Sequence, residues 1–294
     1  MTATNEPTLM VTGATGELGR RVMDELLVQV PAERLVAGVR DPEHAVARRL
    51  AARGVCVRVA DYDRPDVWPA ALVGVHRLLL ISSNAVGERQ AQHRTVIEAA
   101  ARAGVSLLAY TSMLRADTTP IAMAEDHVAT ERMLRESGVP HVLLRHGWYM
   151  DNHLQSVPTA LERGEVYGSA GDGRFATAMR ADFAAANAAV LAGEGHAGRT
   201  YELAGSRSYT LADFAGSIAA AAGRPETYVD MPQPAFADLL ARVGLPPAMA
   251  HMIADADTGA AAGWLEDDGG QLEALISRPP TTLEEAVAQA VAAC

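Results

Sequence analysis

Three glycines, Gly13, Gly16 and Gly19, stand in the run Thr12-Gly13-Ala14-Thr15-Gly16-Glu17-Leu18-Gly19, between a short apolar segment and an amphipathic one. At a strand-to-helix turn this spacing serves phosphate recognition. One glycine permits the tight turn, one lets backbone approach a pyrophosphate, and one lets the helix pack close to the strand. The helix start then offers N–H groups and a partial positive charge to the phosphates. Gly13, Ala14, Thr15, Gly16, Glu17, Leu18 and Gly19 are therefore candidate cofactor-binding residues. The spacing is a weak signal alone and a stronger one at the head of an alternating strand–helix pattern.

Arg40 closes the next apolar run, VAGVR. An acid in this neighbourhood would hold a ribose 2′-hydroxyl, whereas a guanidinium accommodates a 2′-phosphate and stacks on adenine. Arg40 thus favours NADP(H), and Asp41 beside it keeps NAD(H) open. Asp61-Tyr62 follow the third apolar run, and Ser82-Ser83-Asn84 follow the fourth. Ligands bind outside the carboxyl ends of parallel strands. That places the first pair near an adenine and the second group along ribose and phosphates. For each of them singly, a loop cap or turn former is an equally good reading.

All 25 basic residues are Arg; the chain has no Lys. This excludes a Walker lysine, a Schiff-base lysine and any Tyr-Lys pair. The two cysteines, Cys56 and Cys294, form no CxxC. Neither a redox motif nor a zinc site is suggested. Cys56 lies in the apolar run VCVRVA and reads as a buried strand residue. No HExxH or GxSxG occurs, so no metal and no serine-hydrolase chemistry is expected. His141, His146 and His153 are close in sequence, but His141 and His146 flank a strand and share no helix face.

Six short apolar runs read as strands buried on both faces, at 8–12, 34–39, 54–60, 76–82, 105–111 and 140–145. Helical patterns lie between them near 17–30, 42–53, 65–73, 86–104 and 121–138. This order predicts an α/β fold, a Rossmann-type doubly wound parallel sheet with right-handed crossovers. After about residue 150 the rhythm changes. The turn GSAGDGR (168–174) precedes a helix near 181–193, strand-like YELAG at 201–205, and a helix from 211 capped by Thr210. Pro-led helices fill 231–263, and Thr282 with Glu285 marks the last helix. The expected organisation is a nucleotide-binding domain over 1–150 and a smaller α+β lobe over 151–294. The lobe is expected to be partly interwoven, packed on the edge of the first domain, with a cleft between them.

Hydrophobic residues make up 49% of the 294 and charged residues 21%, an ordinary globular composition. The net charge of −11 argues against nucleic acid and acidic membrane surfaces as partners. MTATNEP carries no basic segment ahead of the first apolar run, and LLLI at 78–81 is far too short to span a bilayer. A cytoplasmic protein is expected.

Longer stretches carry a resemblance. TGATGELGR is followed by LLLISSNAVGER (78–89), AYTSMLRADTTP (109–120), DHVATERML (126–134), LLRHGWYMDN (143–152), GSAGDGRFATAMRADFA (168–184) and PTTLEEAV. The chain resembles the atypical short-chain dehydrogenase/reductases of the NmrA-like group. Within it the likeness is greatest to bacterial NAD(P)H:quinone oxidoreductases of type 2, over nearly the whole length. The resemblance implies an NADPH-dependent enzyme, with NADH also open, that passes hydride to quinones or related flat conjugated carbonyls and uses no flavin. It also implies a homodimer.

Many NmrA-like proteins keep a Lys in the helix after the fifth strand; here that position is His127, and the one four earlier is Met123. His127 is the candidate to bond the ribose or the substrate oxygen. The same resemblance sets the segment from Arg145 to Asn152 beside nicotinamide and substrate. His146 and Gly147 are then candidates on the cofactor side; Trp148, Tyr149 and Asn152 are candidates on the substrate side, and Tyr149 is a second catalytic candidate. The group also includes non-catalytic NADP(H) sensors that regulate a partner protein. Secondary-metabolism reductases or isomerases are a further alternative on this scaffold.

Overall fold

Apolar runs of three to seven residues supply the strands, and the computed structural model places them where the alternation predicts. It describes residues 6–85 and 87–294. Residues 1–5 of the N-terminal reading, and position 86 where the sequence predicts a helix to begin, lie outside the described residues.

The first half runs β1 (Leu9–Val11), α1 (Glu17–Gln29), β2 (Leu35–Val39), α2 (Ala45–Ala52), β3 (Cys56–Val59), α3 (Trp68–Ala71), β4 (Arg77–Leu80), α4 (Arg89–Ala103), β5 (Leu107–Met113), α5 (Ala124–Ser137) and β6 (His141–His146). The rest runs α6 (Met150–Leu154), α7 (Val157–Arg163), β7 (Glu165–Gly168), β8 (Arg174–Phe175), α8 (Arg180–Ala192), β9 (Thr200–Leu203), β10 (Tyr209–Thr210), α9 (Leu211–Ala222), β11 (Thr227–Asp230), α10 (Gln233–Arg242), α11 (Pro247–Ala261), α12 (Gln271–Ile276) and α13 (Leu283–Ala292).

Seven strands form one sheet in the order β3-β2-β1-β4-β5-β6-β9. The pairs β1–β2, β1–β4, β2–β3 and β4–β5 are parallel. Backbone bonds from Leu108 to Pro140 and from Leu114 to His146 give β5 and β6 the same sense, and Leu143 to Arg199 with Gly147 to Leu203 does so for β6 and β9. This is a Rossmann-type doubly wound α/β sheet, with its order reversing between β1 and β4. Every residue of β1, β2, β4 and β5 is buried, as parallel strands covered on both faces must be.

β3 departs from the expectation. Cys56 is exposed. The apolar run around it suggested burial, but β3 is the edge strand and pairs only with β2. An edge position leaves its first residue open to solvent.

The chain forms two compact units. The first comprises 1–112, 126–145 and 183–201; the second comprises 113–125, 146–182 and 202–294. The core of the first gathers Met10, Val36, Trp68, Leu78, Val96, Tyr110 and Leu143. The second holds one cluster around Trp148, Phe175 and Leu265 and another around Val157, Phe214 and Val287. Its two small sheets, β8 with β10 and β7 with β11, have no counterpart in the sequence reading. The caps foreseen there are present: Thr210 and Asp213 close a capping box on α9, and Thr282 and Glu285 close one on α13.

Candidate functional site

The glycine turn begins where β1 ends. Gly13 has φ +57, the left-handed region that glycine enters without a Cβ clash. Its carbonyl accepts from Gly16 N at 2.9 Å, which closes the turn, and Ala14 N donates to Gly38 O at 3.1 Å, which ties it to β2. A Cβ on Gly19 would lie 2.2 Å from the Gly13 oxygen, so α1 can sit this near the turn only with glycine there. Gly16 is the N-cap of α1 and no side chain caps the helix. The first-turn N–H groups therefore have no side-chain acceptor, and this cradle fits the pyrophosphate of a dinucleotide.

Around it, Ala14 and Leu18 are buried and offer only backbone to a ligand. Thr15 is half-buried and Glu17 exposed. The Glu17 carboxylate is bound by Arg21 and Arg20 at 2.8 and 2.6 Å, and these hydrogen bonds hold it below the usual carboxylate range.

The switch between β1 and β4 is knotted by side chains. Thr12 Oγ1 accepts from Ile81 N at 3.0 Å, donates to Leu79 O, and lies 2.5 Å from the Tyr62 hydroxyl. Tyr62 donates to Ile81 O at 2.7 Å, and its burial pushes the phenol pKa up. Asp61 gives its carbonyl to Trp68 Nε1 at 2.9 Å and its carboxylate to Asp63 N. Ser82 N donates to Thr111 Oγ1 at 2.8 Å, and Ser83 N donates to His93 Nε2 at 2.9 Å. Gln92 meets the Ser83 hydroxyl and Arg89 Nε meets the Ser83 carbonyl; Asn84 stays exposed.

Because His93 Nε2 accepts, its proton sits on Nδ1, which faces Thr130 Oγ1 at 2.8 Å. Burial, with Arg89 nearby, pushes His93 down to about 3. Arg40 is exposed at the end of β2. The Asp41 carboxylate accepts from Glu43 N at 2.8 Å, a local turn that engages the acid while the neighbouring guanidinium faces solvent.

His127 lies on α5, buried, with Nδ1 2.8 Å from the Tyr110 hydroxyl. One turn on, buried Glu131 accepts from Arg145 Nε at 2.9 Å and Nη2 at 2.7 Å, and from Ser112 Oγ at 2.7 Å. This bidentate buried pair joins β5, α5 and β6, and Arg135 Nη2 brings a second guanidinium to Glu131 at 2.9 Å.

In the second unit, His146 is buried with Nδ1 3.1 Å from the Tyr149 hydroxyl. Gly147 donates to Leu203 O at 2.7 Å. A Cβ there would come within 3.2 Å of that oxygen and 3.3 Å of Ala176 O, a tight fit that either carbonyl would have to ease by a few tenths of an ångström. Trp148 is buried in an apolar cluster with Met113, Phe175 and Leu265. Its Nε1 meets no acceptor among the described residues. The Arg180 guanidinium lies over the Tyr149 ring, 4.7 Å from its centroid. It also donates to Asn152 Oδ1 at 2.6 Å and pairs with Asp151 at 3.4 Å. Burial pushes Tyr149 up to about 12, with Arg180 pulling the other way. The phenol is therefore protonated at neutral pH and able to donate.

His153 points elsewhere, its Nδ1 2.8 Å from the Tyr209 hydroxyl. Among the described residues no group of three His, Cys, Asp or Glu could hold a metal ion, and no helix is long and apolar enough to cross a membrane. The sequence reading missed Thr12, Arg89, Gln92, His93 and Arg180. Thr12 and Arg180 act on residues far along the chain, while Arg89, Gln92 and His93 reach back from α4 to Ser83, and no sequence spacing marks either kind of pairing.

A protein-family model described as NAD(P)H-binding matches residues 13–194. The chain belongs to the NAD(P)H-binding family. The match begins at Gly13, the left-handed glycine of the cradle. Within this NAD(P)H-binding family the chain is 50% identical over 279 residues to Quinone oxidoreductase 2 of Escherichia coli (strain K12), covering 95% of this chain and 97% of the relative. The crystal structure of the NADPH-dependent quinone oxidoreductase QOR2 of Escherichia coli, complexed with NADPH, superposes with TM-score 0.93 at 49% identity, over 96% of this chain and 99% of that one. Triphenylmethane reductase of Citrobacter sp., complexed with NADP(H), superposes with TM-score 0.91 at 32% identity, over 96% and 99%.

Proposed function

We propose that this protein is an NADPH-dependent oxidoreductase that passes hydride to quinones and related flat conjugated carbonyls. The observation that carries the reading is the 50% identity with Quinone oxidoreductase 2, spread over 95% of the chain. The cradle at Gly13–Gly19 and the exposed Arg40 support it independently of that likeness.

In this reading the first-turn N–H groups of α1 hold the pyrophosphate, and Arg40 holds the 2′-phosphate. Asp61 and Tyr62 border the adenine, while Ser82, Ser83 and Asn84 follow ribose and phosphates. His146 and Gly147 serve the nicotinamide end. When bound, the reduced nicotinamide supplies the hydride. A quinone gains aromaticity on reduction, so the protein has mainly to position it and deliver a proton.

Without Lys, the proton falls to Tyr149 Oη, backed by His146 Nδ1. The Trp148 Nε1–H is a buried donor suited to a substrate oxygen. Asn152 adds an amide. His127 is assigned to hydrogen-bond the ribose or the substrate oxygen, with its Nδ1 engaged by Tyr110 at 2.8 Å.

The test is steady-state oxidation of NADPH and of NADH with 1,4-benzoquinone and a naphthoquinone. Turnover above the uncatalysed rate, with NADPH preferred, is expected. No turnover on any quinone removes the reading's main support.

A further inference from the structure

The proposed proton donor has a neighbour that sequence spacing does not mark. Arg180 opens α8, and its backbone N is held by Asp151 Oδ2 at 2.8 Å. Its side chain then makes three contacts on one short stretch. The guanidinium stacks over the Tyr149 ring at 4.7 Å, its Nη2 donates to Asn152 Oδ1 at 2.6 Å, and its Nη1 pairs with Asp151 Oδ1 at 3.4 Å. The Arg180 side chain is 19% exposed and that of Asp151 15%, so water screens this group poorly. The main chain meets here as well, through a parallel bridge between Tyr149 and Ala178 and a bond from Met150 N to Ala178 O at 2.9 Å. With the ring face covered, the Tyr149 hydroxyl bonds at its own edge to His146 Nδ1.

We propose that Arg180 is the positioning residue for the substrate end of the site: stacked on Tyr149 and bonded to Asn152, it holds the phenol and the amide in their working orientation and stabilises the phenolate left when Tyr149 gives up its proton. The proposal rests on the reading above, in which the segment from His146 to Asn152 meets the quinone.

The proton step balances. The reduced nicotinamide supplies two electrons and a hydrogen. The Tyr149 O–H bond breaks as an O–H bond forms on the reduced substrate, and the electron pair stays on Tyr149 Oη beside the guanidinium. That phenolate recovers a proton from solvent through His146. A cation over the ring lowers the cost of the phenolate, against burial and the Asp151 carboxylate, which raise it. The wider superfamily gives that part to a Lys; here a planar guanidinium takes it and orients an amide with the same fork.

The experiment uses the full chain with 3-fluorotyrosine incorporated, whose phenol ionises in a milder pH range. The Tyr149 fluorine signal is assigned by its loss in Tyr149→Phe. In nucleotide-free protein, Arg180→Gln is expected to raise the pH at which that signal titrates by about 1. Arg180→Lys, which keeps the charge and loses the fork, is expected to leave it near wild type and serves as the folding control.

In turnover, Arg180→Gln is expected to lower kcat/KM for 1,4-benzoquinone at least about tenfold, with the Kd for NADPH within about twofold. In the Tyr149→Phe background the same change is expected to cost far less, because Arg180 acts through Tyr149. An unmoved tyrosine titration in Arg180→Gln overturns the proposal, and so do kcat/KM losses that multiply independently. Failure of the wild-type protein to reduce any quinone overturns the functional reading instead, while the titration still decides the pairing of Arg180 with Tyr149.

Discussion

A methyl group on Gly19 would lie 2.2 Å from the carbonyl oxygen of Gly13. No real Cβ contact is that short, and the oxygen belongs to backbone that also accepts Gly16 N. Gly19→Ala must therefore push α1 away from the turn and spoil the cradle. The expected outcome is a loss of at least about tenfold in NADPH affinity, read by fluorescence titration, together with a lower melting temperature. Affinity within twofold of wild type would contradict this account of the turn.

Arg40 is exposed at the end of β2, and the neighbouring acid is engaged by Glu43 N. Arg40→Ala is expected to weaken NADPH binding about tenfold or more while leaving NADH nearly unchanged, since only NADPH carries the 2′-phosphate. Raising the salt concentration should narrow the gap between the two nucleotides in the wild-type protein. Equal losses for both would assign Arg40 to general folding rather than to that phosphate.

His93 is fully buried, and folding depresses its pKa to about 3. Between there and the ordinary histidine range the unfolded chain binds a proton that the native ring refuses. The stability tied to neutral His93 is therefore full above about pH 6.5 and is lost progressively on acidification, about 2 kcal/mol between pH 7 and 4.5. His153, pushed down to about 4 by burial, adds a slope of the same sign. His93→Gln is expected to melt lower than wild type at pH 7 and to lose less on going to pH 4.5.

Asp257 has the opposite sign. Burial, with Asp230 nearby, raises its carboxyl to about 7, while Ser169 N donates to it at 2.9 Å. A raised carboxyl costs the native state stability as pH climbs from about 4 to about 7, and the cost then stays constant. Asp257→Asn keeps the oxygen that accepts from Ser169. It should stabilise the fold at pH 8 relative to wild type, by about 4 kcal/mol at most, and so raise the melting temperature there, with little change at pH 4. A variant less stable at pH 8 would show that the ionised carboxylate is needed.

The parallel sheet was readable because β1, β2, β4 and β5 are buried at every residue, which leaves continuous apolar runs in the sequence. Cys56 was not, because an edge strand and a central strand can share one composition, and only the sheet order separates them. The small pairs β7–β11 and β8–β10 escaped for another reason: strands of two to four residues hold too few side chains to show a period. At the site, Gly13, Gly16 and Gly19 announce themselves through a backbone requirement that is local. The bonds of Thr12 to Tyr62, Ser83 to His93 and Tyr149 to Arg180 join chain segments that only folding brings together. At Gly147 two requirements meet. Ligand approach suggests glycine there, and the carbonyls of Leu203 and Ala176 crowd a Cβ at the same position.

The most direct measurement is a single turnover. Protein loaded with NADPH is mixed rapidly with 1,4-benzoquinone, and reduced nicotinamide and hydroquinone are followed together. The account predicts a fast loss of one matched by the appearance of the other, slowed at least about tenfold in Tyr149→Phe with NADPH binding intact. Nicotinamide oxidised no faster than in buffer, or at the same rate in Tyr149→Phe, would contradict it.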